Sequence, residues 1–329
     1  MAESKLPRFN SMDALLSVAK IIDNSGALTL SPDAFRQFTV SSPAFFKFSN
    51  PLAMFPCDQR LVDQIAISVA AIIYFISGTK NVDFMELTTG RQYLFPANAG
   101  HALRFQGINV SASANFDFAA AERLRQKGGG FTDQLESAIV ALNSGEEDVV
   151  LQFTTAEYPL PVHQAWLYTK EDRLNMNVYF GCVDVENLIY EWVPIFSFLL
   201  HLVADLTKRK LGSIQFFVGK LYGGKLALSK IPTVYHPRID LSNIHYPAGG
   251  RDLKDINTLV TIMSQYLHKL DASSINRVNP FVGDESVVMW SDFAEVLRMQ
   301  KAKNLGILLK DELVFHHPYL RYAYTGEAV

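Results

Sequence analysis

Three side chains able to do chemistry lie within one stretch of the chain: His163, Cys182 and Asp184. A histidine moves protons near neutrality, a thiolate attacks electrophilic carbon, and a carboxylate holds a ligand amide. Their neighbours qualify each role. Cys182 lies between Gly181 and Val183, so no adjacent base favours its thiolate. It reads either as a nucleophile or as a small buried residue, the commoner state of a free cysteine. His163 reads as an acid–base group or as a hydrogen-bonded core histidine. Asp184 reads as a reader of a ligand amide or as a turn cap.

Other polar motifs lack the spacing their chemistry needs. In Lys127-Gly128-Gly129-Gly130-Phe131-Thr132 the lysine precedes the glycines and no Gly-Lys-Ser/Thr closes the loop, so a surface loop is expected rather than a phosphate cradle. Gly219-Lys220 and Gly223-Gly224-Lys225 fail the same test. His316-His317, with His236 and His245, have no carboxylate or cysteine at metal-ligand spacing, and surface or packing roles are expected. Lys208-Arg209-Lys210 ends a predicted helix and suits its dipole. Phe45, Phe46, Phe48 and Phe55 read as core, and Cys57 as a buried thiol.

The elements that must position these residues follow from hydrophobic period and capping. Ala14 to Ile22 predicts a short helix. Asp58 to Ser77 predicts a long buried helix stopping before Gly78, and Thr132 or Asp133 caps a helix over Gln134 to Leu142. Strands are expected over Val149 to Thr154, Gln164 to Tyr168 and Leu174 to Phe180, the last two joined by the polar turn Lys170-Glu171-Asp172-Arg173. A helix from Pro194 to Lys208 and a strand from Ser213 to Val218 follow. Beyond His236 an apolar stripe (Leu253, Ile256, Val260, Met263, Leu267, Leu270) predicts a helix, and Ser291 is expected to cap another. The division is 1–235 for the main fold and 236–329 for a C-terminal helical extension packed on it.

Composition bounds the classes. The 329 residues are 49% hydrophobic and 19% charged, enough apolar material for a sizeable core. A net charge of -3 gives no bulk footprint for nucleic acid or anionic membrane. The longest apolar runs, Ile65 to Ile76 and Leu188 to Leu206, read as buried helices rather than membrane spans, the second being broken by Glu191, His201 and Asp205. Two cysteines and an N-terminus without a signal-type apolar stretch point to a reducing cytoplasm.

Several segments, in order, resemble the thymidylate synthase and pyrimidine hydroxymethylase superfamily. They are Phe55-Pro56 through Tyr74-Phe75-Ile76-Ser77-Gly78-Thr79-Lys80-Asn81; Asp133-Gln134-Leu135; Pro161-Val162-His163 in place of Pro-Cys-His; Gly181-Cys182-Val183-Asp184-Val185 in place of Arg-Ser-x-Asp-Val; and Phe216-Phe217-Val218-Gly219-Lys220-Leu221-Tyr222. The resemblance implies an α/β (α+β) fold: a large mixed sheet flanked by helices. It implies a homodimer packed sheet against sheet, and a cleft for a pyrimidine nucleotide and methylenetetrahydrofolate.

Most of that cleft's chemistry is replaced here. By resemblance the nucleophile falls at Val162, the proton-relaying glutamate at Ala71 and the phosphate arginine at Gly181. The arginine pair donated across the dimer falls in or beside Glu146-Glu147-Asp148, the pyrimidine-reading amide near Glu191 or Trp192, and the sugar-strand histidine at Tyr222. Without a thiolate there is no covalent attack on the ring, and alanine relays no proton. The residues left to line the site are Tyr74, Val162, His163, Asp184, Trp192 and Tyr222, with Cys182. Two functions are expected from this pattern. One is a non-catalytic ligand-binding or assembly subunit, homodimeric or paired with an active paralogue. The other is an enzyme of altered specificity acting at C5 of a pyrimidine or related heterocycle with a folate. Chance resemblance in an unrelated α/β interaction protein is the third alternative.

Overall fold

Glu171 and Asp172 both take left-handed backbone (φ 53° and 59°), the geometry of a two-residue hairpin loop whose twist matches its strands. The loop joins β8 (Val162–Lys170) to β9 (Arg173–Asp184), antiparallel with Lys170 opposite Arg173. Side chains alternate along both strands. Val162, Ala165 and Leu167 share the buried face with Leu174, Met176, Val178 and Phe180. The chain then crosses over through a helix and returns as β10 (Lys210–Gly224), parallel to β9. A parallel neighbour requires such a crossover.

In the computed structural model the described residues are 8–9, 27–30, 37–40, 44–56, 58–78, 103–105, 108–110, 118–125, 133–153, 162–184, 187–224, 241, 246–248, 253–276, 279–309 and 313–326. The main sheet is mixed and has eight strands. Its path runs β1 (Arg8–Phe9), β4 (Ala44–Phe48), β10, β9, β8, β7 (Asp148–Gln152). The pair β2 (Ala27–Leu30) and β3 (Gln37–Val40) joins at the far end of β10. A separate hairpin pairs β5 (Leu103–Phe105) with β6 (Ile108–Val110).

Seven helices accompany the sheets among the described residues: α1 (Val62–Ser77), α2 (Phe118–Arg125), α3 (Gln134–Asn143), α4 (Val193–Leu206), α5 (Leu253–Lys269), α6 (Val288–Asn304) and α7 (Pro318–Thr325). Every residue of α1 from Ile65 to Ile76, and of α4 from Val193 to Ala204, is buried. A helix apolar all round must be enclosed by other elements. α4 packs on β9 and β10, α1 packs on α4, and α6 covers α1. Both apolar runs, Gln59–Ser77 and Leu188–Leu206, are long enough to cross a bilayer, but they form the centre of the fold.

Helix ends follow their sequence signals. Asp58 accepts from Arg60 N–H ahead of α1, and Gly78 closes it at φ 62°. Asp133 caps α3, accepting from Glu136 N–H at 3.0 Å. It also holds Arg125 at 2.9 Å in a buried ion pair, while Arg125 donates to the Ile76 carbonyl at the end of α1. At the sheet edge the Gln134 amide imitates a strand. Its Nε2 donates to Gln152 O and its Oε1 accepts from Gln152 N–H.

Several expectations need correction. Ser291 does not cap a helix; it lies buried inside α6, which a turn capped by Asp284 leads into. The basic run does not serve its own helix. Lys208 is left-handed (φ 55°), and Arg209 crosses to α3, donating to Leu142 O and Glu146 O while its other nitrogen reaches Thr169 Oγ1. Phe45 is 46% exposed, whereas Phe46, Phe48 and Phe55 are core. The strands run longer than their apolar cores, because pairing continues into polar residues. The expected helix at 14–22 lies outside the described residues.

Candidate functional site

Val162 opens β8 and has no exposed surface. His163 follows as the extra residue of a β-bulge, since Val162 pairs with Phe180 while Gln164 pairs with Tyr179. The bulge swings the His163 side chain outward over Gly181. A Cβ added at Gly181 would lie 2.6 Å from His163 Nε2, so the ring occupies the room an arginine at 181 would need. Beside it, a Cβ at Gly219 would lie 2.7 Å from the Gly181 carbonyl. The two glycines let β9 and β10 close beneath the imidazole.

Behind Val162 the expected ligand residues are packed away. Trp192 is 2% exposed, stacked on Phe196 (5.8 Å) and edge-on to Phe180 (5.7 Å) and Phe75 (6.1 Å). Tyr74 and Ala71 are fully buried in α1. Phe153 extends the same cluster to Phe75 and Phe196. Trp192 ends a π-helical turn, Leu188–Trp192, that leads into α4. Such turns leave backbone carbonyls out of step and often mark functional sites. Here Ser68 Oγ donates to the Tyr190 carbonyl, tying the turn to α1.

The structure brings Val162, Tyr74 and Trp192 to one side of the sheet and sends His163 to the surface. At backbone level Asp184 lies opposite Tyr222, and Cys182 opposite Lys220. The side chains of Cys182, Asp184 and Tyr222 lie outside the described residues, as do Cys57, His236, His245 and the glycine loop at 127–132. Methylenetetrahydrofolate and its nucleotide partner do not fit the described part of the site. Where the resemblance sets a nucleophile, Val162 has no exposed surface, and Trp192 and Phe180 are engaged with neighbouring rings. Among the described residues no group of His, Cys, Asp and Glu is arranged to hold a metal ion.

The opposite face of the sheet was not singled out by sequence, though its signal is there in the polar and aromatic residues alternating with the core. One row across the strands reads Val150, Trp166, Asn177, Gln215, Lys47. The next reads Gln152, Gln164, Tyr179, Phe217, Phe45. Tyr179 and Phe217 stack at 4.8 Å, Phe45 meets Phe217 edge-on at 5.7 Å, and Trp166 leans on Tyr168 at 5.2 Å. Burial pushes the Tyr168 hydroxyl above its usual range, with Tyr179 adding to it. Asn177 is 8% exposed, and its buried Oδ1 has no donor among the described residues.

A second polar centre sits where the C-terminal helices meet α4. Asp292 of α6, with no exposed surface, accepts four hydrogen bonds. They come from Tyr246 OH (2.8 Å), His316 N–H (3.0 Å), His316 Nδ1 (3.0 Å) and His317 N–H (2.8 Å). His317 caps α7 and is itself fully buried, so the histidine pair divides into one packing residue and one partly exposed residue.

No protein-family model matches this chain, and no curated protein does. What sheet and helices define is a mixed α/β protein whose central mixed sheet is flanked by helices.

Proposed function

We propose that this chain is a non-catalytic relative of the thymidylate synthase superfamily that acts as an assembly subunit, pairing with a second copy through the aromatic face of its sheet. The observation that carries the loss of catalysis is the sealing of Val162: it has no exposed surface and lies beneath a closed aromatic cluster. The order of hairpin, crossover helix and parallel return strand supports the family reading. A sealed interior leaves the surface to carry function, in a cytoplasmic setting.

The sheet face has features of an interface. Aromatic side chains supply apolar area at low entropic cost, and Phe45, Phe217, Tyr179 and Trp166 gather it on this face. A two-fold axis along the strands would set the exposed Asp148 edge of one copy over Lys47 of the other. Six strands at about 4.8 Å and roughly seven residues each at about 3.3 Å give roughly 650 Å² in projection, which side-chain relief raises toward the ~800 Å² per partner of a stable dimer.

Analytical ultracentrifugation tests the pairing. The wild-type chain should sediment as a dimer at micromolar concentration, and Trp166→Glu as a folded monomer with unchanged far-ultraviolet circular dichroism. A monomeric wild type defeats the assembly reading. The catalytic part is tested by release of isotope from C5 of a pyrimidine nucleotide in the presence of the folate. None is expected, and release that His163→Ala abolishes would make the protein an enzyme.

A further inference from the structure

We infer that residues 313–326, the segment carrying α7, form an acid-releasable clasp over the start of α1, with His317 as its trigger. The inference is independent of the dimer and rests on how the two ring nitrogens are used. His317 Nε2 donates to the Leu52 carbonyl at 2.9 Å, and Nδ1 accepts from Tyr319 N–H at 3.2 Å. Only the neutral ring can do both. A second proton would stand on Nδ1, facing the Tyr319 N–H with no acceptor between them, and the cap of α7 would be lost.

The surroundings give the extra charge no escape. The ring lies between Tyr246 (4.8 Å), Tyr319 (5.7 Å) and Phe55 (5.9 Å) and is fully buried. From α6, Asp292 favours the charged form, but its oxygens are engaged by Tyr246 and by the 316–317 segment. From α4, His201, itself beside Asp205 at 3.5 Å, disfavours it. Tyr246 is the titratable group facing the ring from 246–248, and Tyr319 the one from α7; from the 51–53 turn comes the Leu52 carbonyl. Burial dominates and holds the ring at about 4. His316 works in the opposite sense: its Nδ1 bond to Asp292 is strengthened by a proton.

The clasp spans two further contacts, Tyr324 OH to the Val62 carbonyl and the packing of Phe315 on Tyr324 at 5.0 Å. Releasing it uncovers Phe55 and the first turn of α1 while α4 and the sheet keep their own packing.

Hydrogen exchange, corrected for intrinsic rates, tests this on the full chain. A ring that titrates near 6.5 when released and at about 4 when clasped raises opening roughly a hundredfold at pH 4 relative to neutrality. Amides of 313–326 should lose protection by that factor while those of α4 hold. His317→Gln keeps a donor for Leu52 and cannot titrate, so it should abolish the acid step; His316→Ala should leave it in place. If His317→Gln does not fold, the wild type alone decides, because the loss of protection must follow the His317 ring titration seen by NMR. Protection of 313–326 that persists through pH 4 overturns the clasp. So does loss of protection in 313–326 and α4 at one shared midpoint, or an acid step retained in His317→Gln.

Discussion

Gly181 and Gly219 sit side by side on adjacent strands, yet a methyl group at each would meet different obstacles. At Gly181 the obstacle is the tip of the exposed His163 ring, which can swing aside; at Gly219 it is the Gly181 backbone carbonyl, which cannot. Gly219→Ala should therefore cost about 1–3 kcal/mol in urea unfolding, and Gly181→Ala well under ~1 kcal/mol. The neighbouring histidines 316 and 317 give opposite pH slopes. His317 is depressed in the fold by burial, so the unfolded chain binds the extra proton first. Stability should fall as pH drops from about 6.5 toward 4, by up to about 3 kcal/mol. His316 is raised by its bond to Asp292, so its smaller contribution is present at low pH and lost as pH climbs through its folded value. Denaturant midpoints followed from about pH 4 to the alkaline side of neutrality should lose the acid-side slope in His317→Gln and the alkaline-side slope in His316→Ala. The sequence alone identified Val162 as a residue without a nucleophile, because residue type is local information. It did not separate His316 from His317. Their difference comes from Asp292 and Leu52, distant in the chain.

Helix ends and strand cores were legible for the same reason, being fixed by residues a few positions apart. Asp133 was one of two candidate caps, and Gly78 the expected stop. What could not be read was the second use of each side chain. Asp133 also neutralises Arg125, which is itself buried. Asp133→Ala should thus cost more than the ~1 kcal/mol of a lost cap, about 3 kcal/mol, since it leaves a buried guanidinium unpaired. Thermal unfolding of Asp133→Asn, which keeps the cap but not the charge, separates the two parts. Arg209 is a similar case: its sequence neighbours suggest its own helix dipole, but it closes α3 from across the sheet. Strand ends were misjudged because pairing partners, not periodicity, decide where a ladder stops. The face rich in Trp166, Tyr179 and Phe217 was passed over because aromatic residues in strands usually signal core.

Across the whole molecule, the C-terminal helices share the core of the sheet domain rather than resting on it. Phe293 of α6 lies between Phe55 (6.1 Å) and Phe198 of α4 (5.7 Å), and the Trp290 ring meets Phe198 edge-on at 6.3 Å. The sequence boundary near 236 is therefore not a place to cut. A chain ending at residue 235 should show no cooperative thermal transition by circular dichroism, because Phe55 and Phe198 lose the ring that joins them. The Gln134 amide on β7 has a wider consequence. It occupies the hydrogen-bonding groups of Gln152 at an edge where another strand would add. With the outward backbone pair of Gln152 occupied, β7 is a poorer template for strand-by-strand extension. Copies paired face to face, as proposed above, would then stop at a closed pair instead of lengthening into filaments. One glutamine thus bears on how concentrated the protein can become before it precipitates.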